Sequence, residues 1–303
     1  MRAFCLMPLA LPLLASFLYA LGSWSLKLGL RRGAHLSIVT ALSNLSMAGW
    51  SAPLILFFPG QPHPQGFLGA ALAGTALFVG RLCALRALAQ GDLSHATPLL
   101  GIKTIFVALL TFLFLDEPLS LGLLAAALLT ALAITLLSLS PQFNRRSWWP
   151  NKSQWITTAW AILAAFFFAL TDITVQKYAR LLGVGWFQPL MFATLALLTP
   201  LLFLPAWHHR ATWSVTLPQS SRVGALAGSA IIGFQTSLVI LVIGIFGHAT
   251  ATNVVYATRG LWAVLLEGAA GGGAAYHDKR LLAVRLTGAA LLLAAVALAV
   301  GSL

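Results

Sequence analysis

Acidic side chains are nearly missing from this chain: six Asp and Glu stand against 18 Lys and Arg, and charged residues of all types make up 8% of its 303 positions. An ordinary soluble domain has about 25% charged residues. Here 59% of residues are hydrophobic, more apolar surface than a soluble fold can cover. Cysteine is scarce too. Cys5 and Cys83 lie in apolar surroundings without metal-ligand spacing, which excludes a disulfide framework and fits inert buried thiols. His-Glu-x-x-His, Gly-x-Ser-x-Gly and Cys-x-x-Cys are absent, and no Lys follows Gly271-Gly272-Gly273 to complete a phosphate loop. With so few carboxylates, neither a metal site nor a cofactor is expected, and the chain reads as a non-enzyme. The formal charge of +12 does not indicate nucleic-acid binding, because no basic run exceeds two residues. Arg31-Arg32, Arg145-Arg146 and Lys279-Arg280 fall between apolar stretches, where they meet lipid headgroups.

What the chain does contain is apolar runs. They fall near residues 8–30, 36–58, 67–90, 96–115, 119–140, 156–178, 187–206, 223–246, 249–275 and 281–301. Each is close to the roughly 20 residues needed to cross a hydrocarbon core. A backbone in lipid must satisfy its own hydrogen bonds, and the alternation of barrel strands is missing, so all are expected to be helices. The first run extends to about Leu28 without a small-residue cleavage site and reads as a span rather than a signal peptide.

The chain also repeats itself. Gly91-Asp-Leu-Ser-His95-Ala96-Thr97 returns as Gly244-Ile-Phe-Gly-His248-Ala249-Thr250, and Phe17-Leu-Tyr-Ala20-Leu21 resembles Phe166-Phe-Phe-Ala169-Leu170. The longest polar stretch, around Pro141 to Gln154, divides the two copies. The expected organisation is a first five-helix repeat over 1–140, a connecting loop over 141–155 and a second five-helix repeat over 156–303. An odd helix count inverts the second repeat in the membrane, an architecture common among secondary transporters. Arg31, Arg32, Arg145, Arg146, Lys152, Arg210, Arg222, Lys279 and Arg280 share one side, against Arg2, Lys177 and Arg180 on the other. Loop charge alone therefore places both termini outside the cytoplasm.

In Ala84-Leu85-Arg86-Ala87-Leu88, then Ser94-His95-Ala96-Thr97-Pro98-Leu99, then Leu115-Asp116-Glu117-Pro118-Leu119-Ser120, the chain resembles the EamA-type branch of the drug/metabolite transporter superfamily. The resemblance departs at Lys103-Thr104, where the family usually carries a proline, and in the second repeat, which lacks a clean copy of Asp-Glu-Pro. It implies ten helices in two repeats and both termini in the cytoplasm, against the loop charge. It also implies a central cavity lined mainly by helices 1, 3, 4, 6, 8 and 9, with helices 5 and 10 peripheral.

Charged groups inside spans cost roughly 2.5–3.5 kcal/mol each on insertion scales and normally face a cavity or a partner. The ninth run carries Asn253, Tyr256, Arg259 and Glu267, which a continuous helix brings to roughly one face. Arg259 contacts solute, pairs with a carboxylate such as Asp172 or Glu267, or snorkels. Asp172, in Thr171-Asp172-Ile-Thr174-Val-Gln176-Lys177, either exchanges protons or pairs with Arg259 or Lys103. Lys103 and Arg81 are further cations within spans, and Arg86 lies nearer the interface. Lys103, Arg81 and Arg259 against Asp172 and Glu267 leave one positive charge in excess, which favours an anionic or zwitterionic solute. Trp24 with Ser23, Ser25 and Lys27, Asn44, and Gln235-Thr236-Ser237 are candidates for a polar lining or for interhelical hydrogen bonds. His95 and His248 read as helix-end residues, with gating as the alternative.

The expected function is secondary active transport of a small polar metabolite by alternating access, with export by family habit. The expected partners are the lipid bilayer, the solute, and protons or a counter-substrate; the expected location is a bacterial cytoplasmic (inner) membrane. Broad-specificity efflux of amphipathic compounds is the alternative within transport. A membrane-embedded enzyme or an assembly partner is the alternative outside it.

Overall fold

The computed structural model describes residues 2–90, 101–115, 121–138, 152–204, 217–269 and 279–302. The first copy of the repeated motif at 91–97, Asp116-Glu117-Pro118, Gly271 to Gly273 and most of the 141–155 loop lie outside these residues, as do the side chains of Cys5 and Glu267. The described residues are helical and contain no strand. In order they form α1 (Arg2–Arg31), α2 (Leu36–Ser51), the short α3 (Leu54–Phe57), α4 (Pro64–Gln90), α5 (Lys103–Phe114), α6 (Leu121–Leu137), α7 (Lys152–Leu182), α8 (Val184–Leu198), α9 (Arg222–Phe246), α10 (Ala249–Tyr256), α11 (Arg259–Ala269) and α12 (Lys279–Gly301). Seven helices are long and apolar enough to cross a membrane, with α5 and α6 as shorter apolar helices beside them. The all-α, multi-span class expected from the apolar runs is thus the class observed.

Two expected spans are not single helices. The second breaks at Ala52-Pro53, where the ring removes a backbone donor, and continues as α3. The ninth breaks at Ala257-Thr258, where Thr258 and Gly260 donate to carbonyls three residues back, Val255 and Ala257, in a tight turn between α10 and α11. Asn253 and Tyr256 therefore stand on α10, and Arg259 on α11. The fourth expected span also changes: its described helix begins at Lys103, after a turn at Gly101-Ile102, so Lys103 is the first residue of α5 rather than an interior one.

Large apolar side chains cover the outside. Leu56 is 83% exposed, Leu121 and Leu197 81%, a surface that only lipid can cover. The interior is packed through small residues. α4 lies against α7, with Gly69 facing Tyr178 and Gly80 facing Phe168, while α1 lies against α9, with Gly22 facing Ile231 and Ile232. Helices in lipid have no hydrophobic drive to associate, so close backbone approach and dispersion hold them. Gly29 shows how close: a Cβ placed there meets the Ala225 amide nitrogen at 2.8 Å. Gly29→Ala is expected to lower stability by about 1–3 kcal/mol, because backbone rather than a side chain must give way. Thermal denaturation of the purified variant in detergent checks this, and an unchanged midpoint refutes it. The connection from α9 to α10 uses Gly247 at φ +75° and His248 at φ +52°. His248 stands at the start of α10, as expected of a helix-end residue.

A buried cationic cluster at a broken helix

Tyr19 of α1 and Tyr256 of α10 meet edge to face, with ring centroids 6.0 Å apart. The guanidinium of Arg259, the first residue of α11, sits over both rings, its Cζ 4.8 Å from the Tyr19 centroid and 4.7 Å from that of Tyr256. Aromatic faces attract a cation electrostatically, and more strongly where water is excluded. Arg259 follows Tyr256 by three residues across the turn at Ala257-Thr258 and stacks on it. Tyr256 donates its hydroxyl proton to Gln235 Oε1 of α9 at 2.8 Å. Gln235 in turn donates to the Ile232 carbonyl and to Thr236 Oγ1. Tyr256→Phe keeps the stacking but leaves the buried Gln235 oxygen without its donor, so a loss of about 1–3 kcal/mol is expected. Denaturation midpoints of the two proteins measure it, and no change would show that Gln235 is otherwise satisfied.

Asp172 of α7 is 3% exposed and forms an ion pair with Lys103 Nζ at 2.7 Å. The same carboxylate oxygen accepts from Asn253 Nδ2 of α10 at 2.6 Å, and Asn253 also donates to the Ala249 carbonyl. Of the partners that the sequence left open for Asp172, the structure selects Lys103. Arg259, for which Asp172 or Glu267 was an alternative partner, stacks on tyrosines instead; it interacts with Asp172 electrostatically without a direct ion pair. Glu267 stands eight residues further along α11, about 12 Å by helix rise. Arg81 of α4 lies within electrostatic range of Tyr19 and Tyr256, and its Nε is buried without a hydrogen-bond acceptor.

The cluster thus joins Tyr19, Arg81, Lys103, Asp172, Gln235, Asn253, Tyr256 and Arg259 from the first, third, fourth, sixth, eighth and ninth expected spans, the set that the resemblance implied for a cavity lining. Tyr19 escaped sequence reasoning, since a lone Tyr in an apolar run gives no signal before its partners are known. Trp24 is not part of the cluster: it is 44% exposed, and five residues beyond Tyr19 it points about 140° around the helix. Asn44 donates to Thr199 Oγ1, and Ser25 to the Gly224 carbonyl, as interhelical bonds. Arg86 is exposed at the helix flank, over the Trp160 ring. Lys177 and Arg180, exposed on α7, donate to the carbonyls of Phe114 and Phe246 at the ends of α5 and α9. These two tie helix C-termini and stand outside the cluster.

Residues 6–139 match the EamA-like transporter family. The match covers the stretch in which the resemblance was read and under half of the chain; the family it names is one of membrane transporters. No curated protein matches the chain. A solved crystal structure superposes on 96% of this chain and 97% of its own with a TM-score of 0.73, at 17% identity, a likeness of fold alone.

Proposed function

We infer that this EamA-like protein is a secondary transporter of a small polar solute bearing negative charge, anionic or zwitterionic, which it moves across a bacterial cytoplasmic membrane by alternating access, in the direction of export. The observation that supports this is the content of the cluster: three cations, Arg81, Lys103 and Arg259, against one described carboxylate, Asp172, at the break between α10 and α11. Broken helices at membrane depth are tolerated where the backbone lines a cavity or is buried in protein, and transporters place binding sites at such breaks. The packing supports two exchangeable halves over 1–140 and 156–303. α4 lies along α7 as α9 lies along α1, α9 meets α2 as α4 meets α8, and α6 pairs with α12.

A solute that binds only the folded protein raises its apparent stability. Thermal denaturation of the purified protein against amino acids, carboxylates, organic phosphates and lipophilic cations is therefore expected to show stabilisation by a negatively charged class. Stabilisation by lipophilic cations alone would overturn this reading in favour of amphipathic efflux.

A further inference from the structure

Two features stand outside the function assigned above: the second copy of the repeated motif, Gly244 to Thr250, and the cations near the end of α7. The structure brings them together. Gln176 Oε1 accepts from the Ala249 amide at 2.8 Å, which ties the first residue of α10 to α7. Thr250 meets Thr111 of α5, hydroxyl to hydroxyl, at 3.3 Å. Lys177 donates to the Phe114 carbonyl at 3.1 Å and Arg180 to the Phe246 carbonyl at 3.2 Å, at the last residues of α5 and α9. One helix end thus holds the ends of α5, α9 and α10. All of these contacts lead away from the buried network of Lys103, Asp172 and Asn253. By helix rise, Gln176 and Arg180 stand about 6 and 12 Å beyond Asp172, Thr111 about 12 Å beyond Lys103, and Thr250 about 9 Å from Tyr256. The row ends at the exposed side chains of Lys177 and Arg180.

Resting on the reading that the cluster receives solute, we propose that the seam between α5 and the α7–α10 pair is a gate between the cluster and this face of the membrane, shut in this structure. Thr111 with Thr250 and Lys177 with Phe114 are the contacts that break when it opens. Both join the first half of the chain to the second, and α5 packs on α7 and α10 alike. Each is a single hydrogen bond, and at the exposed Lys177 water can replace the partner at small net cost. Such contacts favour the shut state without trapping it, as a seam that parts in every transport cycle requires. Gln176 with Ala249 and Arg180 with Phe246 lie within the second half, so they hold α9 and α10 to α7 while α5 moves.

The test uses the full-length protein with Cys5 and Cys83 replaced by alanine and Thr111→Cys with Thr250→Cys introduced. Oxidation is expected to join the new cysteines, because hydroxyls 3.3 Å apart place sulfurs near the disulfide bond length of about 2.05 Å. In sealed proteoliposomes, uptake of labelled succinate, glutamate or glycerol phosphate is expected to fall about tenfold or more on oxidation and to return on reduction. Equal uptake by the oxidised and reduced protein would overturn the gate while leaving anion transport intact, and failure of the disulfide to form would contradict the shut seam. A second measurement needs no solute. In nanodiscs, which expose both faces, Thr250→Cys alone in the same background is expected to react with a water-soluble maleimide, and about fivefold faster once Lys177→Met removes one fastening. No reaction in either protein, or equal rates in both, would overturn the gate. Faster labelling in the Lys177 variant, with none of the three solutes carried by the reduced protein, would uphold the gate and overturn the anion reading instead.

Discussion

Replacing Arg259 by alanine is expected to weaken binding of the negatively charged solute by about 30-fold or more, with folded protein still recovered from membranes. The figure follows from the cost of removing one partner from a desolvated, hydrogen-bonded charge pair, about 2–5 kcal/mol, at 1.4 kcal/mol per tenfold. Arg259→Lys is expected to recover little, because an ammonium has neither a flat face to lie between Tyr19 and Tyr256 nor a fork of donors. Equilibrium titration of the purified variants reads both effects. Unchanged affinity in the alanine variant would take Arg259 out of the site. Failure of the alanine variant to fold, with the lysine variant folding and binding normally, would make Arg259 structural.

The largest stability effect belongs to Asp172. Asp172→Asn preserves shape and leaves the Asn253 contact in place, yet it strands the Lys103 ammonium in a buried position. Breaking a buried pair from one side costs about 3–5 kcal/mol, whereas replacing both partners by apolar groups is often neutral. Asp172→Asn is therefore expected to lower the denaturation midpoint steeply, and the double substitution Lys103→Met with Asp172→Leu to restore most of it. Such non-additivity is the mark of a direct pair. If the double variant loses as much as the two single losses combined, the pair is not what holds α5 to α7.

Much of this was legible before any helix was placed. Apolar length and scarce charge fix an all-helical membrane class, because lipid leaves the backbone few other solutions. Arg259, Lys103, Asp172 and Asn253 stand out since each is expensive where it lies. Their pairing was not legible. Whether Asp172 meets Lys103 or Arg259 depends on how three separate helices pack, which spacing within any one of them does not encode. Tyr19 and the commitment of Trp24 to the opposite side of α1 are equally invisible, because an apolar helix without a polar stripe has no sequence signal for its rotation.

Whether the protein carries an anionic solute across a membrane is decided by uptake into sealed proteoliposomes, with labelled anionic solute outside, the solute analysed chemically after recovery from inside, and Arg259→Ala as the comparison. The unsubstituted protein is expected to accumulate an intact, negatively charged solute, and the variant is not. No movement of any anionic or zwitterionic solute, with lipophilic cations crossing instead, would contradict it.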